Sequence, residues 1–321
     1  MLVLVTGATG LVGNAIARRL VARGDTVRAL VRDPESARRV LPEGTALVRG
    51  DVTDLASVRE AARGVALVFH AAGMPEQWQR DEGIFDRVNR GGTVSVLRAA
   101  RESGVERVVY TSTMDVFAAP PGGTLVETNV DHEVKPTAYE RSKQAADREV
   151  EAAAREGLDV VSICPSAVYG PSPSRTGLNA LFVRLLAGKV PMLPPGGMSV
   201  VYVDGVADAH LAAARSGERG ARYLVSDCYV SNREFGETIA RIAGLGRVPP
   251  SSPMWLLGAI AATSAPLARI FGFTPLVAPG EVAFLRWQVR VDARKAQSEL
   301  GFVPTALEDG VRRTVESLRS G

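Results

Sequence analysis

Short β-branched runs alternate along the first half of the chain with stretches whose apolar positions recur at helical spacing. The runs Leu2–Thr6, Thr26–Val31, Ala46–Arg49, Leu67–His70, Val108–Thr111 and Val160–Cys164 predict strands. Between them, Val12–Arg23, Leu55–Arg63, Val88–Ser103 and Ala138–Arg155 predict amphipathic helices. Each crossover is long enough to return a helix across the sheet, which argues for parallel strands covered on both faces. Six strands joined this way predict an α/β fold built on a doubly wound parallel sheet.

After Pro165 the texture changes. Prolines and glycines cluster at Gly170–Pro173 and Pro191–Gly197, which read as loops. Helical patterns follow at Leu178–Ala187, Val206–Ser216 and Asn232–Ala243, with short strands between, and a charged amphipathic helix at Leu307–Leu318. The expected division is a sheet domain over residues 1–165 and, over 166–321, a smaller lobe that mainly binds substrate, with segments returning to the sheet. The stretch "MWLLGAIAATSAPLA", residues 254–268, carries no charge. It falls short of the roughly 20 residues a bilayer span requires, and Pro266 is expected to interrupt it. It therefore predicts a buried or groove-lining helix, with a membrane-surface helix as the alternative, and no transmembrane span. Trp255 and Trp287 read as core residues of the smaller lobe.

Composition narrows the classes. Apolar residues make up 46% of 321 positions, enough for a sizeable core, so disorder is excluded. The formal net charge of +3 is scattered, with no block of like sign, which gives nucleic acid no footprint. Cys164 and Cys228 lack metal or disulfide spacing, and Cys164, inside "VVSIC", reads as a buried inert thiol. No ligand cluster accompanies His70, His132 or His210, so no metal is expected. The chain opens on a strand-like run rather than a leader, which makes the cytoplasm the expected location.

Chemistry concentrates first in "LVLVTGATGLVG". Gly7, Gly10 and Gly13 follow the first strand at i, i+3 and i+6, and Thr9, Leu11 and Val12 lie among them. A strand, a glycine turn and a helix N-terminus bring backbone N–H groups and a positive dipole end to one point, which suits a pyrophosphate. Gly7 allows the tight turn, Gly10 the approach of phosphates, and Gly13 the packing of helix on strand. At the end of the second strand an acid would accept the ribose hydroxyls of NAD, and a cation would suit the 2′-phosphate of NADP. The chain has Val31 in the acid's place, followed by Arg32, which points to NADP(H), with NAD(H) as the alternative. Asp33, before Pro34, reads as a helix cap. "GDVTD" and "FHAAG" end the third and fourth strands. There Asp51, with Val52 beside it, is placed for the adenine amino group, and Ala71 and Ala72 leave room for ribose and phosphate.

"YERSK" places Tyr139 and Lys143 at i, i+4 on one helix face. A free tyrosine titrates near 10, about three units too high for easy proton transfer at neutral pH. A lysine cation and a nicotinium charge favour the phenolate and lower that value. Tyr139 then exchanges a proton with a carbonyl or alcohol oxygen. Thr111, Ser112 and Thr113 end the fifth strand at the carboxyl edge, where ligands bind in such sheets. Trp78, in the loop after the fourth strand, either roofs the site or packs on the surface.

Together these motifs resemble those of the extended short-chain dehydrogenases/reductases, in the NAD-dependent epimerase/dehydratase superfamily, over nearly the full chain. "TGATGLVG" is similar to the family's glycine loop, "YERSK" to its Tyr-x-x-x-Lys pair, and "VNRGGTVSVLRAA" to its Asn-x-x-Gly-Thr helix, with Asn89 in the matching place. "CPSAVYGP" resembles the nicotinamide loop, which implicates Pro165 and Val168, and "VVYVDGVADAH" the late signature opening the substrate-lobe helix. The resemblance implies a Rossmann-type sheet and cofactor contact from the strand end at Thr111. It gives Thr113 the catalytic hydroxyl, with Ser112 as the alternative. It also implies that helices near Val88–Ser103 and Ala138–Arg155 would pair in a homodimer.

"VRALVRDP" and "RWQVRVDARKAQSELGFVP" bring the closer likeness to the dihydroflavonol-reductase and 3β-hydroxysteroid-dehydrogenase branch. Sugar-nucleotide enzymes of the superfamily usually carry an arginine before the "VYVD" strand to grip a diphosphate. Met198 and Ser199 stand there instead, leaving Arg175 or Arg184 to compensate. The expected activity is an NADPH-dependent reductase or dehydrogenase interconverting carbonyl and alcohol on a largely apolar small molecule. The alternative is a sugar-nucleotide epimerase or dehydratase with tightly bound NAD. A non-catalytic cofactor-binding protein is a third class, against which the intact Tyr–Lys–hydroxyl set argues.

Overall fold

In the computed structural model, residues 1–75, 78–173, 176–271, 273, 275 and 279–320 are described, apart from the side chains of residues 265, 269, 270, 279 and 281. Seven strands form the main sheet: β1 (Leu2–Thr6), β2 (Thr26–Val31), β3 (Ala46–Arg49), β4 (Leu67–His70), β5 (Arg107–Thr111), β6 (Val160–Pro165) and β7 (Arg222–Val225). Their order is β7-β6-β5-β4-β1-β2-β3, and every neighbouring pair is parallel. Direction of winding reverses between β1 and β4, which opens a crevice at their carboxyl ends.

Strand alternation builds the two layers. In β1, Val3 and Val5 join a core under the helices Leu11–Ala22 and Val203–Ser216. Leu4 faces the other way, into a core shared with Leu55–Ala62, Gly92–Glu102 and Ala138–Arg155. The strands β1, β4, β5 and β6 read as near-continuous apolar runs because both faces are covered. β7 comes from the second half of the chain and lies beside β6, and Tyr223, Leu224 and Val225 are fully buried. The sheet therefore has one strand more than the six individually expected, and Arg222–Val225 is the segment of the second half that returns to it.

Smaller elements complete the carboxyl side. Gly197–Tyr202 pairs antiparallel with Cys228–Ser231 and parallel with Ala167–Tyr169, and Thr124–Leu125 pairs with Arg290–Val291. Tyr169 stacks on Phe182 at 5.9 Å between centroids and meets Phe235 edge-on at 5.5 Å, centring a third apolar core.

The expected helices are present to within about three residues at each end. The one near Val88–Ser103 begins as a π-helical turn, Asp86–Gly91, before the α-helix Gly92–Glu102. The short helix Pro34–Arg38 follows the Asp33 cap as expected, whereas those at Pro279–Trp287 and Arg294–Leu300 were not anticipated from the pattern. Two expectations are corrected. The helix Met254–Phe271 runs through Pro266 rather than breaking there. Ala262 and Pro266 lie on its exposed face, so the carbonyl that proline leaves unpaired is on the solvent side of the helix. Trp255 is not a core residue: it is 72% exposed on that same helix, whereas Trp287 is half-buried and donates its indole N–H to Ala119 O at 2.9 Å. Among the described residues no helix is long and apolar enough to cross a membrane.

Candidate active site

The glycine loop is packed as tightly as its sequence permits. Gly7 has φ +70°, and a Cβ there would stand 2.5 Å from Ala72 N; one on Gly13 would stand 2.2 Å from Gly7 O. A Cβ on Gly10 would meet only Gly7 O, at 3.3 Å, so space remains above the loop. The following helix, Leu11–Ala22, has no side-chain cap and no acid in its first turn. Its leading N–H groups and dipole end thus face an anion without internal competition. A dinucleotide pyrophosphate fits this cradle, which Thr9, Gly10, Leu11 and Val12 rim.

A buried hydrogen-bonded chain holds the adjoining backbone. Thr6 donates its hydroxyl to His70 Nδ1 at 2.7 Å and accepts from Ala72 N at 3.3 Å. His70 Nε2 faces Thr93 Oγ1 at 3.0 Å, whose own proton goes to Asn89 O at 2.6 Å. Burial, helped by the Lys143 charge, pushes the His70 pKa down to about 3, so the chain runs through a neutral ring. That fixes the tautomer and presses Ala71 and Ala72 against the glycine turn. Among the described residues no cluster of ligands could hold a metal.

Along the adenosine end, Asp33 accepts from the N–H groups of Glu35 and Ser36 and caps Pro34–Arg38. Its carboxylate is occupied there, while Arg32 beside it is exposed. Asp51 Oδ1 accepts from Thr53 N at 2.9 Å and Thr53 Oγ1 at 2.8 Å, and Val52 is buried against Gly92. Asn89 is buried and fully engaged by protein: its amide donates to Met74 O and Ser142 Oγ and accepts from Met74 N. It ties the loop after β4 to the Ala138–Arg155 helix. At the nicotinamide end, Pro165 closes β6 and Val168 lies half-buried in the next short strand.

Tyr139 and Lys143 occupy the first two turns of the Ala138–Arg155 helix, which starts at a complete capping box between Thr137 and Glu140. Tyr139 is half-buried with its ring edge-on to Phe85 at 6.2 Å. Lys143 is 6% exposed; its Nζ donates to Thr111 O at 2.9 Å and to Tyr110 Oη at 3.0 Å. Burial pushes its pKa down to about 8. The helix is thereby pinned to the carboxyl end of β5.

The three hydroxyls ending β5 separate. Thr111 meets His210 Nε2 at 2.8 Å; since His210 Nδ1 bonds Val206 O, Thr111 is the donor and the ring is neutral. Ser112, 4% exposed, points to Asp147 at 3.4 Å, in the ion pair with Arg222. Thr113 donates to Asp115 Oδ2 at 2.7 Å. Tyr110 and Asp115 were not singled out by sequence reasoning, and His210 was considered there only as a metal ligand. Asp115, two residues after Thr113, was the one with a readable signal. Met198 and Ser199 are both buried, and Arg184 is exposed; Arg175 lies outside the described residues. Trp78 is half-buried.

Comparison with known proteins agrees with this geometry. Residues 3–226 match the NAD dependent epimerase/dehydratase family. Sterol demethylase protein B of Methylococcus capsulatus is 33% identical over 95% of this chain and 94% of its own. The 2-alkyl-3-oxoalkanoate reductase of Stenotrophomonas maltophilia is 30% identical over 98% of each chain. The UDP-glucose 4-epimerase of Thermus thermophilus, solved with NAD, superposes with a TM-score of 0.81 at 27% identity, covering all of both chains. With a glycine cradle, a crevice at the switch point and a Tyr–Lys pair at the end of β5, the chain belongs to the NAD-dependent epimerase/dehydratase family of extended short-chain dehydrogenases/reductases, as an NAD(P)-dependent oxidoreductase.

Proposed function

We propose that this protein is an NADPH-dependent reductase that interconverts a carbonyl and an alcohol on a largely apolar small molecule. The observation that carries this reading is the buried Lys143, anchored on Thr111 O and Tyr110 Oη one turn after Tyr139. When bound, the dinucleotide supplies the hydride. Gly7, Gly10 and Gly13 with the N-terminus of the Leu11–Ala22 helix would hold its pyrophosphate. Arg32 would hold the 2′-phosphate, Asp51 the adenine, and Pro165 and Val168 the nicotinamide. Tyr139 gives its proton to the carbonyl oxygen, Lys143 lowers the Tyr139 pKa and binds the nicotinamide ribose, and Thr113 hydrogen-bonds the substrate oxygen.

An apolar substrate is supported by the names of two relatives and by the uncharged run 254–268 of the helix Met254–Phe271 in the second half, which we read as mainly the substrate lobe. A second reading, a sugar-nucleotide epimerase retaining NAD, is favoured by the Thermus neighbour. The buried Met198 and Ser199, standing where a diphosphate anchor is expected, speak against it.

Purified protein assayed by NADPH absorbance against ketones, aldehydes, steroids and nucleotide sugars tests the choice. Turnover of an apolar carbonyl is expected, with a lower KM for NADPH than for NADH that Arg32→Ala abolishes. Tyr139→Phe is expected to lower kcat by about 10²–10⁴ with cofactor affinity retained. Near-normal turnover in that variant would sink the mechanism. Co-purified NAD without net turnover would favour the epimerase.

A further inference from the structure

The mechanism above leaves the carboxylate of Asp115 unused. Asp115 lies in the single 3₁₀ turn Met114–Val116, directly after Thr113. Its two oxygens differ: Oδ2 accepts the Thr113 hydroxyl at 2.7 Å, whereas Oδ1 is buried without a hydrogen-bond partner. The Asp115 N–H donates back to Thr113 Oγ1 at 3.3 Å. A buried oxygen of this kind is uncommon and calls for a reason.

Hydroxyl valence supplies one. Threonine has one proton and two lone pairs, and a carbonyl substrate can only accept. While Asp115 is ionised, the Thr113 proton points at it, and one lone pair takes the Asp115 N–H. The remaining lone pair suits an alcohol donor, not a carbonyl. When Asp115 is neutral, its own O–H can donate to that lone pair and release the Thr113 proton toward a substrate carbonyl. We infer that Asp115 is a positioning residue that turns the Thr113 hydroxyl between donor and acceptor, so that its neutral form favours carbonyl reduction and its ionised form alcohol oxidation. This rests on the reductase reading above.

The surroundings place the switch in an accessible range. Burial dominates and favours the neutral acid, Glu140 on the Ala138–Arg155 helix adds to it, and Thr113, Lys135 and Lys143 oppose it, leaving the pKa pushed up to about 6. Lys135 is itself paired with Asp131 at 2.7 Å, and Glu140 is engaged at Thr137 N.

The test is kcat/KM against pH in both directions. In the wild type, reduction is expected to fall about tenfold from pH 5 to pH 7 as the neutral acid is depleted, while oxidation rises. Asp115→Asn, whose amide N–H donates to Thr113 as the neutral acid does, is expected to remove the reduction limb near pH 6. Thr113→Val, which leaves Asp115 in place, is expected to remove it too, at lower overall activity, so the test does not hang on one variant folding. In the Thr113→Val background Asp115→Asn should change the profile no further. A limb near pH 6 that persists in either single variant, or additive effects in the double variant, would overturn the inference. Loss of turnover in Tyr139→Phe with such a persisting limb would overturn the switch alone; full activity in Tyr139→Phe would overturn the reductase reading itself.

Discussion

Lys143 shows how a single side chain links stability to chemistry. Its ammonium is 6% exposed and held by a carbonyl and a phenol, and burial lowers its pKa from 10.5 to about 8. The folded state therefore holds fewer protons than the unfolded chain between those values. Stability attributable to this group rises with pH across that window, and below about pH 8 the full penalty of burying the charge is present. Across the window the difference amounts to about 3 kcal/mol. Urea titrations at steps from pH 7 to pH 10.5 are expected to show that increment in the wild type and not in Lys143→Met, which should also lose turnover. Equal slopes in the two proteins would mean that another group titrates. The residue proposed to lower the Tyr139 pKa is thus kept at a thermodynamic disadvantage, as expected where function and stability compete.

At the scale of one element, the Ala138–Arg155 helix carries both members of the Tyr–Lys pair, and its start decides where Tyr139 stands. Thr137 accepts from Glu140 N at 3.0 Å and Glu140 Oε2 accepts from Thr137 N at 3.0 Å, which locks the first turn. Thr137→Ala is expected to cost about 1 kcal/mol of stability and to fray that turn. Tyr139 lies in it, so kcat should fall further than the small drop in Tm suggests, and Thr137→Ser should restore both. A Thr137→Ala enzyme with normal kcat would show that the pair is positioned from Lys143 alone. This helix and the glycine loop were legible in the sequence because their determinants are local: an i, i+4 pair, and three glycines between a strand and a helix. The hydroxyls ending β5 were legible only as a cluster. Thr111 turns to a histidine 99 positions away and Ser112 to an aspartate 35 away, distances that no local pattern encodes.

Across the whole molecule, β7 and the Ala138–Arg155 helix are joined by Arg222 and Asp147, with N–O distances down to 2.7 Å and Asp147 only 3% exposed. Glu151 takes part at 3.2 Å. Removing one partner strands a buried charge, so Arg222→Met is expected to lower stability by about 3 kcal/mol. Adding Asp147→Leu should recover most of it, because the only carboxylate left from the network, Glu151, is 40% exposed; denaturation midpoints of the two variants measure this. If the double variant is no more stable than the single one, the loss comes from packing around β7 instead. The sequence by itself determined the doubly wound sheet, the cofactor cradle and the Tyr–Lys pair, because strand alternation, helical spacing and glycine geometry act over a few residues. Tertiary structure alone decided that Arg222–Val225 is the returning segment that completes the sheet, that Asn89 and His70 brace the site, and that Thr113 faces Asp115. Those outcomes depend on which buried donor finds which acceptor once distant segments pack, and the cost of leaving one unpaired selects the arrangement.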